Sequence, residues 1–282
     1  LGRGLPPVYE RKAPDAPVPE GVAPHWRFKQ DHGRAIEWDD MVRGRQHFDP
    51  AKLSDPVIRR ADGSWLYMLP SAIDDVAMGV TDVVRGEDHV TNTATQIQMF
   101  EALGAAPPRF AHEALLTGNE GKLSKRLGSL GVEAFRADGI EPLSLIALLA
   151  RLGTSDPVEP VDSVMPLIAG VDFARFGRAP ARFDEAELAQ LNARIIHRLD
   201  YDAVADRLPA GIGAEGWAAI RPNLTRVDAA ADLWAIVEGP VTAEIAPEDR
   251  AFLEESAVAA EALDWSTDPW HALTNQMKEA SG

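Results

Sequence analysis

Cysteine is absent from all 282 residues, which excludes disulfides and thiolate metal sites and suits a reducing cytoplasm. No stretch approaches the ~18 uninterrupted apolar residues of a membrane helix, so no membrane partner is expected. The opening LGRGLPPVYERKAP lacks the apolar core of a secretory signal and has no initiator Met. The chain is therefore expected to be an internal piece of a longer protein. Positive charge is also scarce, with 28 Lys and Arg against 44 Asp and Glu for a net charge of −16. A net charge of that sign argues mildly against a nucleic-acid partner. Its distribution weakens the argument. Residues 1–130 carry 16 cations against 18 anions, and residues 131–282 carry 12 against 26. The near-neutral first part can still present a local basic groove.

What is present is a soluble composition, 45% hydrophobic and 26% charged, in a chain long enough for two or three domains. Residues 1–24 are rich in Pro and acidic residues and read as a linker. HWRFKQD and RAIEWDDMV alternate bulky apolar with polar residues, with Gly33 turning between them, and Asp62-Gly63 marks another turn. GVTDVVRG predicts a short buried strand from Val80 to Val84. Asn92 or Thr93 is the expected N-cap of a helix carrying Ile97, Phe100 and Leu103 on one face and closed by Gly104. PPRFAHEALLTG predicts a second strand, completing a βαβ unit whose carboxyl edge is where open α/β sheets take ligands. After Ser129 strands are expected to stop. Residues 132–153, 184–199, 201–208, 226–238 and 248–263 all have helical spacing, the last with Phe252, Leu253 and Val258 on an apolar stripe. Asp184 and Glu187 form a candidate capping box.

The sharpest chemical feature is Lys122-Leu123-Ser124-Lys125-Arg126, three cations in five residues on a Gly-flanked loop after a strand. Flexible lysines there suit a polyphosphate whose charge grows in the transition state. Arg85, in R-G-E-D, is the next candidate. A guanidinium offers a carboxylate a bidentate fork, although an ion pair with Glu87 or Asp88 is the plainer alternative. His112 by itself reads as a satisfied core histidine.

KLSKR closely matches the KMSKS signature of class I aminoacyl-tRNA synthetases. VTDVVRGEDHVTNTATQIQMFEALGAAPPRFAHEALL is similar to the block preceding that signature in the glutamyl and glutaminyl enzymes. PVIRRADGSWLYMLPSAIDD and ARFDEAELAQLNARIIHRL resemble further segments of the same family, and the likeness is strongest from Trp26 to Leu152. The chain thus resembles bacterial glutamyl-tRNA synthetases. That resemblance implies an α/β fold: the second half of a class I Rossmann-like domain (residues 65–130), preceded by a small mostly-β insertion (1–64) and followed by all-α domains (131–199 and 200–282). It implies ATP with Mg²⁺, L-glutamate and tRNA as partners, and a monomer; the Cys-ligated zinc that some members hold in the insertion is not expected, because the chain has no Cys.

Residue by residue, the resemblance assigns Lys122 and Lys125 to catalysis on the ATP phosphates. Leu115, Leu116 and Ser124 would join them in ATP binding. Tyr67, Ser71 and Arg85 would bind glutamate. Asp74, Asp75 and Glu87 would meet the tRNA acceptor end or serve the structure. One departure is large: the family's H-I-G-H motif is missing, and HGRA at 32–35 is no substitute. The chain is accordingly expected to be cut at both ends and inactive alone, with a non-catalytic tRNA-binding fragment or paralogue as the alternative. A shorter enzyme that glutamylates a modified tRNA base is disfavoured by the long helical part after KLSKR. A glutaminyl enzyme is disfavoured because that subclass continues into β-barrels. A small-molecule nucleotidyltransferase would not need the helical half.

Overall fold

The computed structural model describes residues 9–13, 16–17, 20–21, 23–118, 121–122, 131–240, 244–265 and 268–281. The chain divides into two compact units, Leu1–Ala230 and Ala231–Gly282.

The first unit opens on four short strands. β1 (Trp26–Arg27) pairs antiparallel with β4 (Val57–Arg59), and β2 (Ile36–Asp40) with β3 (Gly44–Phe48). The β2–β3 hairpin is tight: Asp40 stands opposite Gly44, which takes φ +70° to close the turn. Along β2 burial alternates, so Ile36, Trp38 and Asp40 face inward while Glu37 and Asp39 face solvent. A carboxylate thus occupies an inward position of an otherwise apolar face. The hairpin lies against the next layer, with Met41 N–H donating to Phe110 O at 2.8 Å.

That layer consists of α1 (Met68–Met78), β5 (Asp82–Gly86), α2 (Val90–Ala102) and β6 (Arg109–Glu113). β5 and β6 are parallel, with Arg85 opposite His112 and Gly86 opposite Glu113. A single core joins both layers, combining Ile36 and Trp38 with Ala72, Ala94, Ile97, Met99, Phe100 and Phe110. Trp38 stacks on Phe48 with ring centroids 5.5 Å apart. The β-rich segment and the βαβ unit are therefore held together by burial.

After β6 the chain forms β7 (Leu116–Gly118), which pairs antiparallel with β8 (Gly121–Lys122) and parallel with β9 (Ala181–Arg182). Helices α3 (Val132–Ala137), α4 (Pro142–Leu149), α5 (Met165–Ala169) and α6 (Glu185–Ile196) build a second core from Phe135, Leu148, Leu167, Phe183, Leu188, Leu191 and Ile195. Asp184 caps α6, accepting from Ala186 N–H at 2.9 Å. α7 (Ala214–Ile220) buries Trp217 and Ile220. α8 (Ala230–Glu238) leads into the second unit, where α9 (Arg250–Glu261) packs on α10 (Pro269–Ser281). Among the described residues, no helix is long and apolar enough to cross a membrane.

Several local expectations change. The Val80–Val84 strand is shifted to Asp82–Gly86, which sets Arg85 within it and leaves it only half-buried. α2 starts at Val90, not at Asn92 or Thr93. Thr93 is instead buried inside the helix, its hydroxyl drawn inward by polar neighbours. PPRFAHEALLTG is two strands in different sheets. Residues 132–153 break at Gly139, where φ +74° ends the α3 turn. Residues 201–208 form 3₁₀ turns. Strands do not stop after Ser129: two residues, Ala181 and Arg182, return to pair with β7, a non-local partner that no local pattern announces. Phe252, Leu253 and Val258 are exposed.

Asn192 is buried, and its amide ties four segments of the helical part. Its Oδ1 accepts from Glu141 N–H at 2.8 Å and from the Ser144 hydroxyl at 2.9 Å, while Nδ2 donates to Gly139 O and Thr225 O at 3.2 and 3.0 Å. Truncation leaves buried donors and acceptors unmet, at ~1–3 kcal/mol for such a loss. Asn192→Ala is expected to lower unfolding free energy by about 3 kcal/mol in urea denaturation, with an unchanged denaturant slope. A cost below ~1 kcal/mol would contradict this tie.

Candidate active site

Arg85 projects from the carboxyl-terminal part of β5, the edge at which parallel sheets take ligands. Its guanidinium is held by neutral acceptors. Nη2 donates to Thr93 Oγ1 at 2.5 Å and Gln96 Oε1 at 2.8 Å, Nη1 to Tyr67 Oη at 3.3 Å, and Nε to His112 Nε2 at 3.3 Å. The ring of Phe110 lies beneath it, 5.6 Å from the guanidinium carbon. Among the described residues, no carboxylate comes within ion-pair distance of Arg85. Glu87 pairs instead with Arg43 at 2.6 Å, and Asp88 with His89 at 3.9 Å. The simple ion pair beside R-G-E-D does not form. A half-buried cation held in place but not neutralised is the arrangement an anionic ligand requires.

The structure brings Tyr67, Ser71 and Arg85 together. Gln96 joins them, donating from Nε2 to Ser71 Oγ at 2.8 Å while its Oε1 accepts from Arg85. Tyr67 precedes α1, stays 53% exposed, and sets its ring edge-on to His89. Asp75 is half-buried on α1, whereas Asp74 is exposed. Burial pushes the Asp75 carboxyl up, opposed by the attraction of Arg85 and reinforced by Asp74. Burial also pushes up Glu113, at the end of β6. Glu87, through Arg43, ties the end of β5 to the β2–β3 turn.

Leu115 and Leu116 are partly exposed just beyond the end of β6. Leu116 lines a cavity of about 170 Å³ with Glu113, Leu149, Leu152, Phe176 and Ala181. Gly86 sits close to both neighbours: a Cβ there would meet Leu115 Cδ2 at 3.1 Å and Asp88 Oδ1 at 2.6 Å, so those side-chain ends would have to shift. The Lys122 backbone lies on β8, directly opposite Thr117. Its side chain, and Ser124 and Lys125 altogether, lie outside the described residues. Among those described, no group of three or more His, Asp or Glu converges as a metal site.

Thr93, Gln96 and Asp40 were not singled out for the site by their sequence. A signal was available for the first two: α2 buries Thr93, Thr95, Gln96 and Gln98, polar residues where helical spacing calls for apolar ones. For Asp40 the signal was its place in the alternation of β2. Its side chain and that of His112 are fully enclosed. Asp40 Oδ1 accepts from the N–H groups of Val42 (3.1 Å), Arg43 (3.0 Å) and His112 (3.1 Å), and Oδ2 bonds His112 Nδ1. Burial by itself would raise the Asp40 carboxyl, but the His112 ring and these backbone donors outweigh it and hold it well below the usual carboxylate range.

Residues 17–166 match the catalytic domain of the class I tRNA synthetases (E and Q). The chain belongs to that family. Glutamate–tRNA ligase 2 of Sphingopyxis alaskensis is 68% identical over the whole chain, which spans 64% of that protein. Glutamate–tRNA ligase 1 of Rhizorhabdus wittichii is 67% identical, with 65% of its length spanned. The chain thus covers just under two thirds of these class I relatives. The fold also matches the crystal structure of a glutamate tRNA ligase from Elizabethkingia meningosepticum in complex with its amino acid. That match has a TM-score of 0.69 and 24% identity, covering 91% of this chain and 59% of that one.

Because the folded Asp40 carboxyl is depressed, its stabilisation is fully present above the unfolded value near pH 4 and is lost as pH falls toward the folded one. Wild-type unfolding free energy is expected to drop by at least ~1 kcal/mol more than that of Asp40→Asn between pH 6 and 3. Parallel acid limbs for the two proteins in denaturant titrations would refute this.

Proposed function

We propose that the complete protein is a glutamate–tRNA ligase. The observation that carries this reading is the Arg85 guanidinium, ordered by Tyr67, Thr93, Gln96 and His112 yet facing no carboxylate among the described residues. The two relatives that are 68% and 67% identical, both glutamate–tRNA ligases, support it. In the first step an α-carboxylate oxygen of L-glutamate attacks the α-phosphorus of ATP. The new P–O bond forms as the bond to pyrophosphate breaks. In the second, a ribose hydroxyl at the tRNA 3′ end attacks the acyl carbon and AMP departs. No base is needed for the first step, because the nucleophile is already ionised.

Arg85, with Tyr67 and Ser71, receives the side-chain carboxylate of glutamate. Lys122, Ser124 and Lys125 meet the phosphates of ATP, whose Mg²⁺ travels with the nucleotide. Leu115 and Leu116 border the adenine. Asp74 and Asp75 orient the acceptor end, and Glu87 fastens the β2–β3 turn. Residues 65–130 form the second half of the Rossmann-like domain, 1–64 the acceptor-side insertion, and 131–199 and 200–282 the helical tRNA-binding parts. The protein works as a cytoplasmic monomer without zinc, since the insertion has no Cys to hold it.

Two substitutions in the complete reading frame test these roles, assayed by ATP–pyrophosphate exchange with tRNA present. Arg85→Gln forces the site to desolvate a glutamate carboxylate with no cation opposite, at a cost of several kcal/mol. Neutral glutamine suffers far less, so the preference for glutamate is expected to fall by ~10²-fold or more. A mutant that melts early yet keeps the wild-type ratio would end the carboxylate-reading role. Lys125→Ala is expected to cut the maximal exchange rate by ~10²-fold, because that charge is met mainly in the transition state. A loss confined to the glutamate KM would contradict it.

A further inference from the structure

The enclosed Asp40–His112 pair ends on Arg85, and its hydrogen-bond logic runs in one direction. Asp40 is ionised and can only accept, so His112 Nδ1 must carry the proton. Arg85 Nε–H can only donate, so His112 Nε2 is bare to receive it at 3.3 Å, and the Thr93 hydroxyl 2.8 Å away then gives its single proton to that nitrogen in preference to His89 O at 3.2 Å. Asp40 thus selects the one imidazole tautomer that can hold Arg85. The carboxylate comes from the tip of the β2–β3 hairpin, 72 residues before His112 in the chain. We propose that Asp40 is a positioning residue for substrate selection: acting through His112, it holds Arg85 in the orientation that meets a substrate carboxylate. This rests on Arg85 being the carboxylate receptor.

Replacement by Asn makes the logic visible. The site of Oδ1 receives three backbone N–H groups, so the Asn carbonyl oxygen must occupy it. The amide nitrogen then faces His112 Nδ1 in place of Oδ2. Two donors cannot face each other, so Nδ1 loses its proton and Nε2 gains one. That new N–H opposes Arg85 Nε–H, and the guanidinium turns away from its present plane. Trp38 Nε1, which donates to Oδ2 at 3.4 Å, also loses its acceptor, so some loss of stability accompanies the change.

The test measures the ratio of kcat/KM for glutamate over glutamine in the complete reading frame, for wild type, Asp40→Asn, His112→Asn and Arg85→Gln. The ¹⁵N shifts of the imidazole nitrogens are recorded alongside. His112→Asn keeps an amide donor near the Nδ1 position for Asp40 but ends short of Arg85, so it covers the case of Asp40→Asn failing to fold. Expected are a wild-type His112 protonated at Nδ1, the reverse in Asp40→Asn, and a ratio reduced ~10-fold or more in both variants. Rescue in Asp40→Asn of the wild-type ratio, or an unchanged tautomer, would overturn the positioning role. If Asp40→Asn and His112→Asn keep the ratio while Arg85→Gln loses it, Arg85 remains the receptor and Asp40 is purely structural. If Arg85→Gln keeps it too, the receptor reading itself fails.

Discussion

The Asp40 carboxylate is the constraint on which the rest of this site depends. A charge enclosed in a core of Ile36, Trp38 and Phe110 is tolerable only when its lone pairs are taken. Here the turn amides of Val42 and Arg43, the amide of His112 and the His112 ring take them. Meeting that demand fixes the β2–β3 turn against β6, and so joins the N-terminal strands to the βαβ unit. It also orders the polar chain that runs from the hairpin through His112 to Arg85. Packing supplies the burial, and burial makes the hydrogen bonds compulsory.

The electrostatics of the site follow from what Arg85 is denied. Its neighbours Glu87 and Asp88 engage Arg43 and His89, and its own partners are a hydroxyl, an amide oxygen, a phenol and an imidazole. Each orders the guanidinium without discharging it. Asp75 is close enough to feel its field yet does not pair with it. Among the described residues, the guanidinium thus keeps its charge without a carboxylate at ion-pair distance.

The helical part shows the same economy at another place. Asn192 takes donors and acceptors from α4, the α3–α4 turn and the segment at Thr225, where an apolar residue would have left several backbone groups unmet. Two-residue β9 returns to β7, placing Phe183 N–H on Thr117 O at 2.8 Å. The strand carrying Leu116 is thereby braced by residues more than sixty positions later.

Much of this was written locally. The βαβ unit was legible from apolar strands around an amphipathic helix, and the family from R-G-E-D and KLSKR in order and spacing. Tyr67, Ser71 and Arg85 were legible as one set through the resemblance. The α6 cap could be read from Asp184 alone. What the sequence could not decide is which of its polar residues would be enclosed. Thr93 looked like a helix cap and is an interior hydroxyl; for Arg85 a pair with the acids beside it stood as the alternative, and that pair does not form. Asp40 is one of two adjacent aspartates, and only the pleat of β2 and its packing on β6 separate the buried one from the exposed. Hydrogen-bond partners seventy residues apart leave no periodic trace along the chain. Tertiary packing alone assigns them, because it is packing that removes water and forces each buried polar group to find another.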